Sequence, residues 1–459
     1  MTFLQRITRL IGIDKSIAYT TGAQAVGAIG GFVTSMFILW CLSKEEQDYY
    51  YTFKSVIALQ VFFELGMNTV ITQFAAHEMA HLGWQGHRLT GEEYYRSRLG
   101  SLLAFSAKWY VFFALLLFLT LILGGSAFFA HFASKYHGVE WQTPWIILCF
   151  TTTLHLLLTP LFSFLQGMGK VKEVARYFFW KYLIYTVSVI VSFLLGAKLY
   201  ALSIGNITYV LTSLAFLLFT PLGKILAGVA REKVTSRIAY FKEVFPFQWK
   251  IAVSWISGYF IFHFFKPVLM ATEAPGVAGQ MGITIDVLTA IQALTLSWTT
   301  TKVPTYSGLI EQQRYGELDT LFGRTLRQAT AVNALLLSGF FAVMLAFTLG
   351  GFTLKGVNVA ERFLPLLPLL LMMIPEYTNQ WVSGWAIYLR CHKQEPFMAQ
   401  SVVMGLSTML TTLIFGRLYG LMGITVSYFL LSICLALPWG YHIFVSKKRQ
   451  WHTPQQIES

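Results

Sequence analysis

Long apolar stretches alternate with short polar ones along almost the whole chain, from Ile17 to Val445. Each apolar stretch holds about 20 residues with few or no charges, which is the length of α-helix that crosses the hydrocarbon core of a bilayer. The pattern predicts twelve membrane-spanning helices and an all-α, polytopic membrane protein. The predicted spans are residues 17–42, 52–77, 102–130, 143–166, 175–197, 200–222, 249–271, 276–301, 328–352, 361–389, 396–416 and 420–445.

The composition supports this interpretation. Of the 459 residues, 55% are hydrophobic and only 12% are charged, whereas soluble proteins carry about 25% charged residues. The shortage of charge excludes an ordinary cytosolic enzyme. The formal net charge of +13 would suggest nucleic-acid binding in a soluble protein, but membrane proteins collect Lys and Arg in their cytoplasmic loops as a topology signal.

Lys and Arg fall mainly on one side of the predicted topology. With the N-terminus inside, 24 of the 34 lie in cytoplasmic segments, 6 in outer segments and 4 within spans. This asymmetry predicts that both termini are cytoplasmic, and no nucleic-acid partner is expected. The basic segment Met1–Lys15 has apolar residues at helical spacing and predicts an amphipathic helix on the cytoplasmic membrane surface.

The longest polar connector, Lys224–Lys250, divides the chain in two. We predict an N-terminal six-helix lobe in residues 1–225, a cytoplasmic linker in residues 226–248, a C-terminal six-helix lobe in residues 249–446 and a basic, polar tail in residues 447–459. An even number of spans per lobe inserts both lobes in the same orientation, so any repeat is related by an axis along the membrane normal. The best echo pairs Ala58-Leu59-Gln60 in span two with Ala290-Ile291-Gln292 in span eight.

Several kinds of chemistry have no support in the sequence. The cysteines are far apart and none belongs to a C-x-x-C pair, so neither a zinc site nor a disulfide framework is indicated. No Gly-rich phosphate-binding motif of the ATPase type is present. The outer loops are short, and the longest lies near Ala130–Gln142. We therefore expect no metal, no cofactor and no enzymatic activity.

Seven of the charged residues inside predicted spans are functional candidates, because a charge within a span costs a few kcal/mol on insertion scales. The acidic candidates are Glu64, Asp286 and Glu376, and the basic ones are Lys54, Lys108, Lys181 and Lys266. The lysines suggest contact with an anionic substrate, and the carboxylates suggest coupling to a proton or cation. The alternatives are snorkelling of the lysines to the headgroups and helix-to-helix hydrogen bonds or ion pairs for the carboxylates. His155 and His263 are two further titratable groups within spans.

Prolines mark predicted bends, and three of them, at 365, 368 and 375, fall in span ten. Proline is tolerated in membrane helices where neighbours or water satisfy the freed carbonyls, so span ten is expected to bend and line a cavity. Tyr377, Trp381 and Trp385 lie on one face of this span. They suit either stacking on sugars or packing and anchoring in the bundle. The segment Val303–Arg327 predicts an interfacial helix between spans eight and nine.

Several short segments resemble the polysaccharide-export flippases related to the Wzx-type O-antigen translocases. These segments are Tyr49–Phe53, Leu59–Gly66, Phe162–Lys170, Ala278–Thr284, Ser297–Pro304 and Tyr315–Phe322. The resemblance covers the whole chain in span number and loop sizes. It implies the fold shared with multidrug antiporters of the MATE type and lipid II flippases, in which two six-helix lobes surround a central cavity. Lipid II flippases usually have fourteen spans, and this chain has no room for an extra pair.

The resemblance implies a function: translocation of a polyprenyl-diphosphate-linked oligosaccharide, such as an O-antigen, capsule or exopolysaccharide unit, across the bacterial inner membrane by alternating access. The expected partners are this lipid-linked glycan, membrane lipids and other polysaccharide-assembly proteins. A small-molecule or drug antiporter on the same fold is the first alternative, although it favours an acidic cavity. A membrane glycan polymerase or ligase is the second, and the absence of a large outer domain disfavours it.

Overall fold

The structure is a computed structural model that describes residues 15–86, 88–136, 138–351, 353–354, 357–392 and 394–452. The amphipathic helix predicted in Met1–Lys15 lies outside the described residues, apart from Lys15, where the first helix begins. Two small antiparallel hairpins interrupt the helices: β1 (Leu82–Gln85) with β2 (Arg88–Gly91), and β3 (Thr353–Leu354) with β4 (Val357–Asn358).

Helices make up the rest of the regular structure. The α-helices before residue 240 are α1 (Lys15–Cys41), α2 (Lys44–Ile57), α3 (Val61–Glu64), α4 (Met67–Met79), α5 (Glu93–Leu119), α6 (Ser126–Phe132), α7 (Gln142–Gly167), α8 (Val171–Leu194), α9 (Tyr200–Phe219) and α10 (Pro221–Ala230). Those that follow are α11 (Phe245–Phe262), α12 (Phe265–Thr272), α13 (Val277–Thr300), α14 (Val303–Glu311), α15 (Tyr315–Gly350), α16 (Leu366–Arg390), α17 (Met398–Leu430) and α18 (Leu437–His452). Short 3₁₀ turns lie at Ala58–Gln60, Ala133–Lys135 and Ala360–Arg362, and π-helical turns at Thr120–Gly125, Tyr240–Val244 and Leu431–Ala436.

Within the described residues, eight helical stretches are long and apolar enough to cross a membrane. One of them, Met398–His452, contains two passes, because Gly420 has a non-helical backbone (φ 57°, ψ −137°). The bent pair Lys44–Glu64 and Met67–Met79, together with α1 and α16, supplies the remaining passes. The described chain therefore has the twelve helical passes that the apolar pattern predicts, and the predicted fold class is confirmed.

The chain forms two compact units. Unit 1 consists of the residues up to Leu42 and of Val56–Trp255, and unit 2 consists of Ser43–Ser55 and of the chain from Ile256 onward. In unit 1, α8 packs against α1 and α9; in unit 2, α13 packs against α15 and α16. The lobe boundaries proposed from the sequence stay a prediction.

The helix α2 begins eight residues earlier than the predicted start of span two at residue 52. Its first turn is closed by a capping box, in which the Glu46 N–H donates to Ser43 Oγ (3.1 Å) and the Ser43 N–H donates to Glu46 Oε2 (2.9 Å). Glu46, Gln47 and Asp48 made this region look like a loop in the sequence. Asp48 is instead fully buried, so the predicted boundary is wrong.

In unit 2, α2 and α13 run side by side in one continuous register. Asp48 accepts hydrogen bonds from the backbone N–H groups of Gly276 and Gly279 at the start of α13. These donors would otherwise lack partners, and the helix dipole favours a carboxylate there. One turn further, Tyr51 packs against Gly282, where an added Cβ would lie 2.1 Å from Tyr51 Cγ. Only glycine permits this approach.

Span two is bent within unit 1. Leu65 (φ 51°) and Gly66 (φ 66°) adopt left-handed conformations between α3 and α4, whose helical stretch turns by 42°. A side chain at Gly66 would also meet Ile251, since its Cβ would lie 2.3 Å from Ile251 Cγ2. Irregular backbone at membrane depth occurs where it is buried in protein or lines a cavity. We therefore expect one of these two environments at the bend next to Glu64.

Prolines interrupt helices at two of the positions where the sequence predicts bends. The break between α11 and α12 falls just before Pro267, and the π-helical turn Leu431–Ala436 falls just before Pro438. Pro160 and Pro375 instead lie inside α7 and α16. A proline removes one backbone N–H and crowds the preceding turn, which explains why the first two mark interruptions.

The interfacial helix predicted for Val303–Arg327 is wrong in its second half. Residues Val303–Glu311 form α14, but the residues from Tyr315 onward are the first turns of α15, a single helix of 36 residues that continues to Gly350. The charged residues of this segment suggested an end to the membrane span. The helical pattern continues through them, because Leu318, Phe322 and Leu326 are buried in the core of unit 2.

The linker predicted in residues 226–248 is fixed to α5 in unit 1. Ser97 Oγ accepts hydrogen bonds from the N–H groups of Thr235 and Ser236, both at 2.7 Å. Arg98 forms ion pairs with Glu78 (2.9 Å) and with Glu243 (2.6 Å). The hydrogen bond from Arg98 is the main cause that lowers the pKa of Glu243. The pair therefore persists at neutral pH and is lost only as the pH falls below the usual glutamate range of about 4.

We expect Gly282→Ala to lower the thermal unfolding midpoint of the detergent-purified protein by several degrees. The added methyl group overlaps Tyr51, and overpacking of this kind costs about 1–3 kcal/mol. Gly339→Ala is the matched control, because this helical glycine has open space around it, and alanine there should be neutral or stabilising. Equal midpoints for the two variants would contradict the packing of α2 on α13.

We expect Glu243→Gln to make the linker more sensitive to trypsin at neutral pH. Arg231, Lys233 and Arg237 are exposed cleavage sites, and loss of the Glu243 carboxylate weakens the attachment of the linker to α5. The rate of cleavage is followed by mass spectrometry of the fragments. Glu92→Gln, at an exposed glutamate, should leave the rate unchanged, and an equal rate in both variants would show that the ion pair does not hold the linker.

Candidate functional site

The charged residues predicted inside spans are divided between the two units. Unit 1 contains Glu64, Lys108 and Lys181, and unit 2 contains Lys54, Lys266, Asp286 and Glu376. Lys108 is exposed on the surface of α5. The other six are buried or partly buried, and they form four separate polar sites.

The register between α2 and α13 places Lys54 opposite Asp286. Lys54 lies two helical turns after Asp48, and Asp286 lies two turns after Gly279. The Lys54 Nζ atom is 2.7 Å from Asp286 Oδ2, and the two side chains are 35% and 26% exposed. Lys54 Nζ also lies 5.3 Å from the centre of the Tyr51 ring. The pair is accessible, so a ligand can reach both charges.

Lys266 adds a second cation to this pair. It follows the break between α11 and α12, is only 3% exposed, and interacts electrostatically with Asp286 and Lys54. His263, at the same break, interacts with the same three charges. We call Lys54, His263, Lys266 and Asp286 the basic cluster. It holds two ammonium groups and an imidazole but only one carboxylate, so its excess of basic groups favours binding of an anion.

Glu64 lies beside the bend of span two and is 8% exposed. Its carboxylate accepts a hydrogen bond from Asn68 Nδ2, and Asn68 Oδ1 accepts one from the Tyr110 hydroxyl (2.9 Å). The three side chains form a short polar chain between α3, α4 and α5. The carboxylate is thus contacted by one neutral donor, Asn68, which the Tyr110 hydroxyl holds in place.

Glu376 is in the middle of α16. Its Oε1 atom is buried and has no hydrogen-bond donor among the described residues. Tyr428 interacts with it electrostatically and accepts a hydrogen bond from Asn379 Nδ2 (3.3 Å). One turn along α16, a second polar chain joins Gln380, Thr295 and Asn333 through contacts of 3.1 Å. A buried carboxylate with an unsatisfied oxygen is a candidate for binding a proton or cation.

Lys181 has a different environment in unit 1. It is 6% exposed and is surrounded by four aromatic rings, which we call the aromatic box. The distances from Lys181 Nζ to the ring centres are 5.5 Å for Tyr177, 4.9 Å for Phe178, 5.1 Å for Tyr182 and 4.9 Å for Tyr209. Each lies within the range of cation–π attraction.

The aromatic face predicted on span ten is mostly part of the hydrophobic core. Trp385 is 6% exposed and stacks on Phe444 with ring centres 5.7 Å apart. Trp381 packs against the same core cluster, and Tyr377 is partly buried. The contacts of Trp385 favour the bundle-packing alternative for this residue, and a role of the three in sugar binding stays a prediction.

The sequence did not indicate several residues that complete these sites. They are Asp48, Asn68, Tyr110, Tyr177, Phe178, Tyr182, Tyr209, Gln380 and Asn333. Two signals were available: the Ser43-Lys-Glu-Glu46 capping box before Asp48, and the density of aromatic residues around Lys181 on α8. Asn68 and Gln380 lie one turn after Glu64 and Glu376 in the sequence. Tyr110, Tyr209 and Asn333 come from other helices, and their contribution depends on tertiary packing.

No group of three His, Cys, Asp or Glu side chains among the described residues is arranged to hold a metal ion. A cavity of about 590 Å³ lies in unit 2 between α14 and the end of α16, and it is lined by Ser307, Arg390 and His392 with apolar neighbours. None of the predicted site residues lines it.

We expect charge reversal to test the pair of Lys54 and Asp286. Lys54→Asp and Asp286→Lys should each lower the thermal unfolding midpoint, because each places like charges together, and the double variant should recover most of the loss. The coupling energy should be about 1 kcal/mol, typical of a partly exposed pair. Lys108→Asp, which has no ion pair among the described residues, is the control. If the losses of the two single variants simply add in the double variant, the pair does not form.

Comparison with known proteins supports the fold. Neither a family model nor a curated protein matches the sequence. Among solved structures, the chain is similar to the lipid II flippase MurJ in an inward closed conformation, with 15% identity and a TM-score of 0.56 over 94% of this chain and 87% of that one. It is also similar to a mutant of the Vibrio cholerae MATE transporter VcmN, with 11% identity and a TM-score of 0.56 over 95% of this chain and 98% of that one. The chain therefore has the twelve-helix, MATE-like fold of a multi-pass membrane protein.

Proposed function

We propose that this chain is a flippase that moves a polyprenyl-diphosphate-linked oligosaccharide from the cytoplasmic to the outer leaflet by alternating access. The observation that carries the proposal is the basic cluster, in which Lys54 is paired with Asp286 at 2.7 Å and Lys266 interacts electrostatically with both. A site with surplus positive charge among membrane-spanning helices needs a physical reason. A diphosphate that crosses the bilayer with its lipid supplies one.

The geometry of the basic cluster suits a diphosphate. Lysine ammonium groups act as point charges with three donors each and are common ligands of phosphate. Lys54 is accessible and engaged with Asp286, whereas Lys266 is almost fully buried. An arriving diphosphate can replace Asp286 as the partner of Lys54 and approach Lys266, so the negative charge of the substrate is compensated while it is away from water.

The fold supports the same proposal. One structural neighbour is described as a lipid II flippase and another as a MATE transporter, and both descriptions concern movement across a membrane. The proposed substrate class agrees with the first. The proposed location is the bacterial inner membrane, with both termini cytoplasmic, and the proposed partners are membrane lipids and other polysaccharide-assembly proteins.

A MATE-type small-molecule antiporter is the second candidate function. The observation that favours it is the buried carboxylate of Glu376 with its unsatisfied oxygen, because an acidic group in a membrane helix suits exchange of a cation against a proton. Under the flippase proposal, Glu64, Glu376 and Asp286 have a related role as ion-coupling residues. The two functions differ in the charge of the substrate.

Transport in proteoliposomes tests the proposal. We expect the purified protein to move a synthetic lipid-linked oligosaccharide diphosphate to the opposite leaflet, measured by its accessibility to an added glycosidase, with and without an imposed proton or sodium gradient. Lys266→Ala and Asp286→Asn should each lower the rate by about tenfold or more, since a hydrogen bond to a charged group contributes about 1.5–3 kcal/mol.

Lys172→Ala is the control and should retain the parental rate, because Lys172 is exposed and is not one of the candidate residues. A parental rate in well-folded Lys266→Ala and Asp286→Asn proteins would refute the assignment of the basic cluster. Proton-driven uptake of a cationic dye in the same vesicles, without movement of the lipid-linked glycan, would support the antiporter instead.

A further inference from the structure

We propose that Lys181 and the aromatic box form a second substrate subsite, in unit 1, which binds a carboxylate-bearing sugar of the transported glycan. The inference rests on the proposed flippase function and names a substrate class, an acidic oligosaccharide. It assigns the diphosphate and the acidic sugar to different sites.

The first argument is that the Lys181 ammonium group is buried without an ion-pair partner in the described part of the chain. The side chain is 6% exposed, and no carboxylate among the described residues forms an ion pair with it. Four rings at 4.9–5.5 Å attract the ammonium group through cation–π contacts, which offset only part of the cost of burying a cation among membrane helices. Lys54 is paired with Asp286, whereas Lys181 has no carboxylate partner among the described residues that an external anion would have to displace.

The second argument is that the box is preorganised. Tyr177, Phe178, Lys181 and Tyr182 lie on successive turns of α8, while Tyr209 comes from α9. The Tyr177 hydroxyl is 2.7 Å from Ser213 Oγ, and its ring stacks on Phe162 at 3.6 Å. Tyr209 stacks on Tyr185 at 4.3 Å. Fixed rings of this kind bind a ligand without a large loss of conformational entropy.

The third argument is that three rings of the box are not fully buried. Tyr177 is 2% exposed and forms its back wall, whereas Phe178, Tyr182 and Tyr209 are only partly buried. His155, from α7, stacks near Tyr209 with ring centres 5.6 Å apart and is also partly buried. It adds a hydrogen-bonding group suited to a sugar hydroxyl at the edge of the rings.

The number of charges separates the two subsites. A diphosphate presents several charged oxygens and is best matched by more than one cation, as in the basic cluster. The box offers one ammonium group and several aromatic faces. A sugar ring presents an apolar face of C–H groups to such rings, and a single carboxylate on it matches the single ammonium group of Lys181. The flexible lysine stem can exchange cation–π contacts for this ion pair.

Matched substrates test the inference. Two synthetic lipid-linked disaccharides are compared in proteoliposomes, with the same lipid and diphosphate but with either glucuronate or glucose as the terminal sugar. We expect the parental protein to move the glucuronate form about tenfold faster at limiting concentration. Lys181→Met should lose this preference while it still moves the glucose form, and Lys181→Arg should keep much of the preference.

Lys172→Met, at an exposed lysine near the start of α8, is the control and should leave both rates unchanged. Lys181→Gln serves as a second neutral variant in case Lys181→Met does not fold. Equal rates of the parental protein for the two substrates would overturn the inference, and so would equal losses for both in the Lys181 variants, which would place Lys181 at the shared diphosphate or in packing. If neither substrate moves, the proposed function fails, and calorimetric binding of glucuronic acid against glucose to the parental and Lys181→Met proteins still decides the subsite.

Discussion

The buried carboxylate of Asp48 at the N-terminus of α13 determines the arrangement of unit 2. It satisfies backbone donors of Gly276 and Gly279 that would otherwise have no partner inside the protein. Once this contact sets the register, Tyr51 meets Gly282 and Lys54 meets Asp286. The charged pair that carries the proposed function is therefore positioned by a capping interaction two helical turns away.

Lys54, Lys266 and Lys181 have different environments, and these environments suggest different functions. Lys54 is paired with a carboxylate, Lys266 interacts with that same pair from a buried position, and Lys181 is surrounded by rings. An unpaired cation in a membrane helix is unfavourable, and each lysine reduces this free-energy cost through a different kind of contact. These contacts differ in how readily an external anion can replace them.

The sequence predicted the fold well because the bilayer imposes a simple pattern: runs of apolar residues of one length. It also identified Lys54, Lys266 and Asp286, since charges are conspicuous in such runs. It placed the start of α2 wrongly, because Glu46 and Asp48 look solvated when their buried partners are unknown. Tyr110 and Tyr209 are ordinary aromatic residues in the sequence, and only tertiary packing brings Tyr110 to the Glu64–Asn68 pair and Tyr209 to Lys181.

The contact between Lys54 and Asp286 bears on the history of the chain. The two residues are 232 positions apart, and Ala58 and Ala290 of the echoed tripeptides have the same separation. Under a twofold repeat along the membrane normal, the two side chains occupy equivalent positions. In two identical copies, one residue would face itself across the axis, and like charges would repel. That repulsion is avoided here because the two positions hold residues of opposite charge.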